Sequence, residues 1–282
     1  MLELGRLQLQ RRVDHLLGPW SEGRTAGCTI GVVRDGQLVL HRHAGLANLD
    51  LEVPIGPETT FRVASVTKQF TCAAALLLAQ DGWLSLTDEI HTHLPELPDF
   101  GAPITIDHLM HNTSGLRDFL ELMRLGGMDL EQPCATADVL EVLGRQRGLN
   151  FPPGSRFLYC NTNFLLLGLI IEKLSGETLA AFMARRIFDP LGMTRSRMVT
   201  STKEIVPGLA SGYFPNPCGG RCRARAGAGA QAADSVARAE RAGTPGGRLC
   251  RSQRSGNARD HARGGWQARN HRQWRSIHPD RR

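Results

Sequence analysis

The sequence predicts an α+β domain, an antiparallel sheet packed with a cluster of helices. Two observations carry this. Near the start, Ile30-Gly31-Val32-Val33 and Leu38-Val39-Leu40 flank Arg34-Asp35-Gly36-Gln37. Asp-Gly is a preferred tight-turn pair, so a hairpin is expected there. Between Ser65 and Phe188, the chain then carries a run of helix starts, apolar stretches and glycine stops. Strands first and helices next suit a fold whose sheet is completed by later strands. No strand pattern is readable after residue 217, so the sheet is expected to be incomplete at its C-terminal strands.

The elements follow in order. Leu2, Leu7, Leu9, Val13, Leu16 and Leu17 give residues 2–17 a loose helical pattern. The hairpin comes next. Ser65 to Gln80 is rich in Ala and Leu and stops at Asp81-Gly82, where Gly suits a helix C-terminus. Thr105 is placed to cap a short helix through Met110, with Gly115 ending the following turn. Thr136 is placed to cap a helix over Ala137–Arg145, and Pro152-Pro153-Gly154 forces a loop. Phe164–Leu174 reads as a buried helix closed by Ser175-Gly176. Thr178–Phe188 reads as an amphipathic helix before Pro190-Leu191-Gly192-Met193.

Composition bounds the class. The 282 residues are 41% hydrophobic and 22% charged, ordinary for a globular protein. No apolar run reaches the roughly 18 residues of a membrane-spanning helix, and the N-terminus lacks a basic, apolar leader. A cytoplasmic protein with no membrane partner is expected. The seven cysteines are scattered and odd in number, which argues against a disulfide framework. His41 and His43, His91 and His93, and His108 and His111 invite metal readings, but no carboxylate or thiol completes a site at ligand spacing, so no metal is expected.

The net charge of +7 hides two unlike segments. Residues 218–282 hold 15 Arg, no Lys and four acids, a net of +11; residues 1–217 hold 19 basic and 23 acidic groups, a net of −4. The first 217 residues are therefore expected to form the domain, and 218–282 an Arg/Gly/Ala-rich tail too poor in large apolar residues to offset its ordering entropy. Three origins fit the tail: a basic arm that binds nucleic acid through phosphate contacts, a metal knuckle using Cys218, Cys222, Cys250 and His261, or an out-of-frame translation of a GC-rich gene. The last suits the composition best. Nucleic acid is expected, if anywhere, only at the tail.

The chemistry concentrates in two segments. In Ser65-Val66-Thr67-Lys68, positions i and i+3 share one helical face, so hydroxyl and amine can meet. A serine hydroxyl is a weak nucleophile until a base takes its proton. A lysine serves as that base only in its uncharged form, which the positive end of a helix and burial both favour. The helix start also offers backbone N–H groups to an oxyanion. The motif alone is common by chance. However, the chain holds only three lysines against 31 arginines, and one of them stands here. In Phe157-Leu158-Tyr159-Cys160-Asn161, an extended stretch would point Tyr159 and Asn161 the same way. The phenol can relay a proton to a leaving amine, and the amide can hold a substrate carbonyl and Lys68. Cys160, between them, is expected to pack as a small apolar residue.

Together with Phe61-Arg62-Val63-Ala64, Gln69-Phe70-Thr71-Cys72, Asn112-Thr113-Ser114-Gly115-Leu116-Arg117-Asp118, Asn163-Phe164 and Ile187-Phe188-Asp189-Pro190-Leu191-Gly192-Met193, these segments resemble the serine β-lactamase and penicillin-binding-protein superfamily. They are most similar to its class C-like branch, where Tyr-x-Asn stands for Ser-x-Asn, and within it to D-stereospecific aminopeptidases. The resemblance covers roughly residues 25–215. It implies a β-lactamase/transpeptidase-like fold and an acyl-enzyme mechanism on a small-molecule or short-peptide amide or ester. In that mechanism Ser65 is the nucleophile, Lys68 its base, Tyr159 the proton donor to the departing amine and Asn161 the substrate-orienting group, with no cofactor.

The alternatives within the superfamily are a D-Ala-D-Ala carboxypeptidase, an esterase or a β-lactamase. The alternative of another class is a non-catalytic truncated fold with a nucleic-acid-binding tail. The family's third motif, Lys-Thr-Gly or His-x-Gly on a late strand, is not found after Tyr159. The one His-x-Gly, His43-Ala44-Gly45, belongs to the opening hairpin, and His261-Ala262-Arg263-Gly264 is off by one residue. Reduced hydrolysis is the expected consequence. Oligomeric state is not legible.

Overall fold

Helix α1 (Leu2–Ser21) lies on a hairpin of β1 (Cys28–Arg34) and β2 (Gln37–Ala44). Asp35 and Gly36 form the turn at φ 51° and 73°, the left-handed pair that a two-residue hairpin loop demands and that Asp-Gly tolerates. The helix runs two residues beyond Pro19, further than its apolar pattern predicts. Val13 and Leu17 of α1 meet Leu40 and Ala44 of β2 in a small buried cluster. The computed structural model describes residues 2–21, 24–128, 134–201, 204–214 and 223–224. All of them belong to the first of two units, Met1–Val236 and Ala237–Arg282.

The next ladder pairs β3 (Leu46–Asn48) with β4 (Val53–Pro54). It is joined to the hairpin where Gly27 and Gly45 touch. A Cβ on Gly27 would lie 2.0 Å from the Ala44 carbonyl oxygen, so only glycine permits this approach. The chain returns here late. Ser211 N–H donates to the Ala47 carbonyl at 2.8 Å, Leu49 N–H to the Tyr213 hydroxyl at 2.7 Å, and Thr60 exchanges backbone bonds with Gly208 and Ala210.

The helical side holds one core. A 3₁₀ turn, Ala64–Val66, leads into α2 (Thr67–Gln80); then come α3 (Ile90–His93), α4 (Ile106–Met110), α5 (Phe119–Leu125), α6 (Thr136–Gly144), α7 (Asn161–Ser175) and α8 (Leu179–Met183). A π-helical turn, Ala184–Phe188, ends the series, dividing the single helix expected over Thr178–Phe188. Leu166 and Ile170, with Leu167 and Ile171, repeat at i, i+4 along α7 and are fully buried against Ala74, Ala75 and Leu78 of α2 and Phe182 of α8. Burying each such aliphatic side chain contributes about 1.5–3 kcal/mol.

Caps set the helix ends. Thr105 Oγ1 accepts from His108 N–H, and His108 Nδ1 accepts from Thr105 N–H, both at 3.2 Å. Thr178 Oγ1 accepts from Ala181 N–H at 3.2 Å. Gly176 ends α7 at φ 71°. Thr136 is a correction: it is the first helical residue rather than the cap. Ala135 stands before it, its N–H bonded to Asp138 at 3.0 Å. The Asp at the third helical position organises this end without a hydroxyl cap.

In the expected tail, Arg223–Ala224 forms β6 and pairs antiparallel with β5 (Tyr213–Phe214), a short ladder that the tail's composition does not foretell. The disorder expected of the other tail residues, and the proposed Cys218, Cys222, Cys250 and His261 knuckle, lie outside the described residues. Among the described residues, no helix is long and apolar enough to cross a membrane.

Candidate active site

Ser65 sits in the 3₁₀ turn immediately before α2. Ala64 holds φ 46°, a left-handed conformation that costs a residue with a Cβ about 1 kcal/mol. One helical turn on, Lys68 Nζ donates to Ser65 Oγ at 3.2 Å. The Tyr159 hydroxyl lies 2.6 Å from the same Oγ. The Ser65 hydroxyl is thus held between an amine and a phenol. Ser65 and Tyr159 are exposed and Lys68 is half-buried, so the hydroxyl and the phenol face solvent while the amine is recessed. Val66 N–H bonds to the Val63 carbonyl at 3.1 Å, which takes one of the N–H groups expected to serve an oxyanion.

Lys68 Nζ makes a second donation, to Asn161 Oδ1 at 2.9 Å. It also lies 4.8 Å from the Tyr159 ring centroid and 5.1 Å from that of Phe164, over two aromatic faces. All four residues predicted for the site therefore stand together. The way two of them arrive differs from expectation. Tyr159 and Asn161 do not share an extended stretch. Cys160 is extended (φ −145°, ψ 118°), but Asn161 is already the first residue of α7. The helix start, not strand alternation, aims its amide at Lys68.

A layer behind the site holds these parts. Asp118 caps α5 with Oδ1, which accepts from Leu120 N–H at 2.9 Å, while Oδ2 accepts from the Asn161 backbone N–H and from Asn161 Nδ2 at 2.9 Å. Asn112 (φ 56°) accepts Cys160 N–H at 3.0 Å and Asn163 Nδ2 at 3.2 Å on its side-chain oxygen, and Leu158 N–H at 3.0 Å on its carbonyl. Ser114 Oγ donates to Asn163 Oδ1 at 2.6 Å. None of Asp118, Asn112, Asn163 or Phe164 was assigned a role from the sequence. All four lie in the segments that carry the family resemblance, and Asp118 also left a local signal, as an acidic residue with Glu121 three positions on.

Cys160 is buried, its thiol donating to the Leu116 carbonyl at 3.4 Å. Burial, aided by the charge of Asp118, pushes the thiol up to about 11, so it is not a nucleophile at neutral pH. The paired histidines have local partners: His41 bonds Thr29 at 2.9 Å, His93 bonds Asp88 at 3.0 Å, and His111 bonds the Asp107 carbonyl at 3.0 Å. His43 pairs with Thr29 within the hairpin ladder, where its His-x-Gly was placed from sequence. An open groove of about 470 Å³ between Glu89, His91, Leu97, Asp99 and Pro103 is lined by none of the four site residues.

The family model described as beta-lactamase matches residues 9–280. The chain belongs to the beta-lactamase family. Among relatives of this beta-lactamase-family chain, a D-aminopeptidase of Gluconobacter oxydans is 34% identical over 187 residues, 66% of this chain and 35% of that protein. The chain thus spans about a third of the length of the curated relatives it matches. Two solved structures share the fold. The octameric penicillin-binding protein homologue from Pyrococcus abyssi superposes with TM-score 0.63 at 29% identity, covering 80% of this chain and 50% of that one. The D-amino acid amidase from Ochrobactrum anthropi SV3 gives TM-score 0.61 at 26% identity, covering 76% and 59%. These relatives bear out the beta-lactamase/transpeptidase-like fold expected from the sequence.

Proposed function

We propose that this chain is a serine hydrolase that forms an acyl-enzyme on amide or ester substrates, acting as a D-aminopeptidase-like peptidase on N-terminal D-residues. The observation that carries the reading is the Ser65 Oγ held 3.2 Å from Lys68 Nζ and 2.6 Å from the Tyr159 hydroxyl. Ser65 Oγ attacks the substrate carbonyl carbon and passes its proton to Lys68 in its uncharged form. The Ser65 N–H at the turn is the local donor for the developing oxyanion. When the C–N bond breaks, Tyr159 gives its proton to the departing amine; in deacylation it takes a proton from the attacking water, and Lys68 returns its proton to Ser65 Oγ as the acyl C–Oγ bond breaks. Asn161 holds Lys68 in register and orients the substrate. The D-preference is supported by the names of the relatives, a D-aminopeptidase and a D-amino acid amidase.

Incubation with a fluorophosphonate probe tests the mechanism. Covalent labelling that Ser65→Ala abolishes is expected; a folded protein that stays unlabelled overturns the reading. Hydrolysis rates for D-alanine anilide, its L-isomer and a chromogenic cephalosporin then separate a D-peptidase from an esterase or β-lactamase. Salt-sensitive nucleic-acid binding that vanishes on deleting residues 218–282 would favour the non-catalytic alternative.

The division near residue 217 belongs to the same proposal, with an out-of-frame origin for the tail. Its Arg/Gly/Ala composition supports this, and the family match that runs to residue 280 weighs against it. The coding DNA beyond codon 217, translated in its other two frames, tests it. A Lys-Thr-Gly or His-x-Gly in a frame of globular composition is expected, and its absence from both frames overturns the idea.

A further inference from the structure

We infer that Asp118 is a positioning residue for the acyl-transfer site, selecting the one orientation of the Asn161 amide that presents an acceptor to Lys68; the inference rests on the reading of Ser65 and Lys68 given above. Asp118 stands among four donors. Its Oδ1 faces Leu120 N–H at 2.9 Å and Glu121 N–H at 3.4 Å, and its Oδ2 faces the Asn161 backbone N–H and Asn161 Nδ2. An ionised carboxylate accepts and cannot donate. The NH₂ end of the Asn161 amide must therefore turn toward Asp118, and the carbonyl end must turn away from it. That carbonyl end is Oδ1, which receives Lys68 Nζ at 2.9 Å. With the amide reversed, two oxygens would face each other at Asp118 and two donors would face each other at Lys68.

The arrangement also keeps the negative charge one group away from the amine. A carboxylate in direct contact with a lysine favours the ammonium form, whereas an amide oxygen fixes the amine with only a dipole. Asp118 thus supplies orientation through Asn161 without itself touching Lys68. It ties together three elements that meet at the site: the start of α5 that it caps, the start of α7 that carries Asn161, and the first turn of α2 that carries Lys68. A second bond beside it serves the same junction. Thr162 Oγ1 accepts from Phe119 N–H at 2.9 Å and donates to the Arg117 carbonyl at 2.7 Å.

A mere helix cap is the competing account, and one substitution separates the two. Serine is as good an N-cap as aspartate, but its hydroxyl is too short to reach the Asn161 amide while capping α5. The full-length Asp118→Ser and Asp118→Ala proteins are compared with the parent chain for melting temperature, for the second-order rate of fluorophosphonate labelling at Ser65, and for the ¹H–¹⁵N signal of the Asn161 side-chain amide, assigned by its loss in Asn161→Asp. If Asp118 positions the amide, Asp118→Ser keeps the melting temperature within a few degrees. It labels ~10-fold or more slowly because the reacting groups are misaligned. Its Asn161 amide signal moves. If Asp118→Ser labels within twofold of the parent with an unmoved amide signal, while only Asp118→Ala is impaired, the residue is a cap and the inference is overturned. A parent chain that shows no labelling defeats the proposed hydrolase activity, and the amide signal still decides whether Asp118 orients Asn161.

Discussion

The helical side and the strand side of this molecule are built on different terms. From α2 to α8, the core is one continuous cluster, with α7 at its centre packed against α2, α4 and α8. Among the described residues, the strand side holds three two-stranded ladders, two of them with strands of only two or three residues. These are stitched by single bonds across long sequence separations, such as Leu49 N–H to the Tyr213 hydroxyl. Every member of the Ser65 cluster and of the layer behind it stands on the helical side. The comparison teaches that the site's geometry is set where α2, α5 and α7 begin.

The largest effect that could break this view is chemical. Ser65→Ala should abolish acyl-enzyme formation, since alanine has no oxygen to acylate and the base is left without a proton to take. Lys68→Arg should be nearly as damaging, because a guanidinium does not give up its proton at neutral pH. Labelling kinetics followed by intact-protein mass spectrometry check both. A Lys68→Arg variant that labels at the parent rate would remove the amine from the mechanism.

Packing comes next. Leu166→Ala or Ile170→Ala should cost about 2–5 kcal/mol, because both are fully buried where α7 meets α2. Leu17→Ala, in the small cluster of α1 and the hairpin, should fall near the lower end of that range, since a cluster at the molecule's edge collapses more readily around a cavity. Urea unfolding measures both losses. Labelling of Ser65 below the transition sharpens the comparison: it should slow in the α7 variants and stay unchanged in Leu17→Ala.

The layer behind the site should respond less. Asn112→Ala removes the acceptor for Cys160 N–H and Asn163 Nδ2 and forces a Cβ-bearing residue without local polar help to φ 56°. An unsatisfied buried donor and left-handed strain together should cost about 2–3 kcal/mol. Asn112→Gly should recover the strain part alone. A thermal melt of the pair divides the loss, and equal melting temperatures would mean that the backbone conformation at Asn112 carries no strain.

What could be read from the sequence follows the same division. The Asp35-Gly36 turn, the Ala/Leu run of α2, the Thr105 cap and the Gly176 stop are encoded within a few residues, and each appeared where expected. Ser65 and Lys68 were legible because i, i+3 is a helical spacing. Tyr159 and Asn161 were legible as a pair, though for a reason the structure replaces: helix α7 begins at Asn161. Asp118 and Asn112 were not legible as supports, because their partners Asn161 and Cys160 lie more than forty residues away in the chain. A local pattern shows that Asp118 can cap a helix, and nothing in it shows where its other oxygen points. The ladders were hardest to read, since Ala47 and Ser211 pair across the whole helical region.

The smallest effect lies on the helical side but away from Ser65, at His91. Nδ1 faces Glu89 Oε1 at 2.5 Å and Nε2 faces the Pro98 carbonyl at 3.0 Å. Both partners are acceptors, so the ring satisfies both only as imidazolium. Burial opposes that charge, but the Glu89 hydrogen bond, the Pro98 carbonyl and the charges of Glu89 and Asp99 outweigh it and hold the pKa above the usual 6.5. A raised pKa means that the folded chain binds this proton more tightly than the unfolded chain does. The stabilisation is fully present below the ordinary imidazole value and is lost as pH rises through the higher folded value. Because Glu89 is partly exposed, water screens the pair, and the change should amount to about 1 kcal/mol or less. Urea unfolding of the parent and His91→Gln across that window isolates it. The difference between the two should shrink with rising pH while Ser65 labelling in the variant stays at the parent rate. A difference that does not vary with pH would show that folding leaves the proton affinity of His91 unchanged, and slowed labelling would show that α3 and the site are coupled after all.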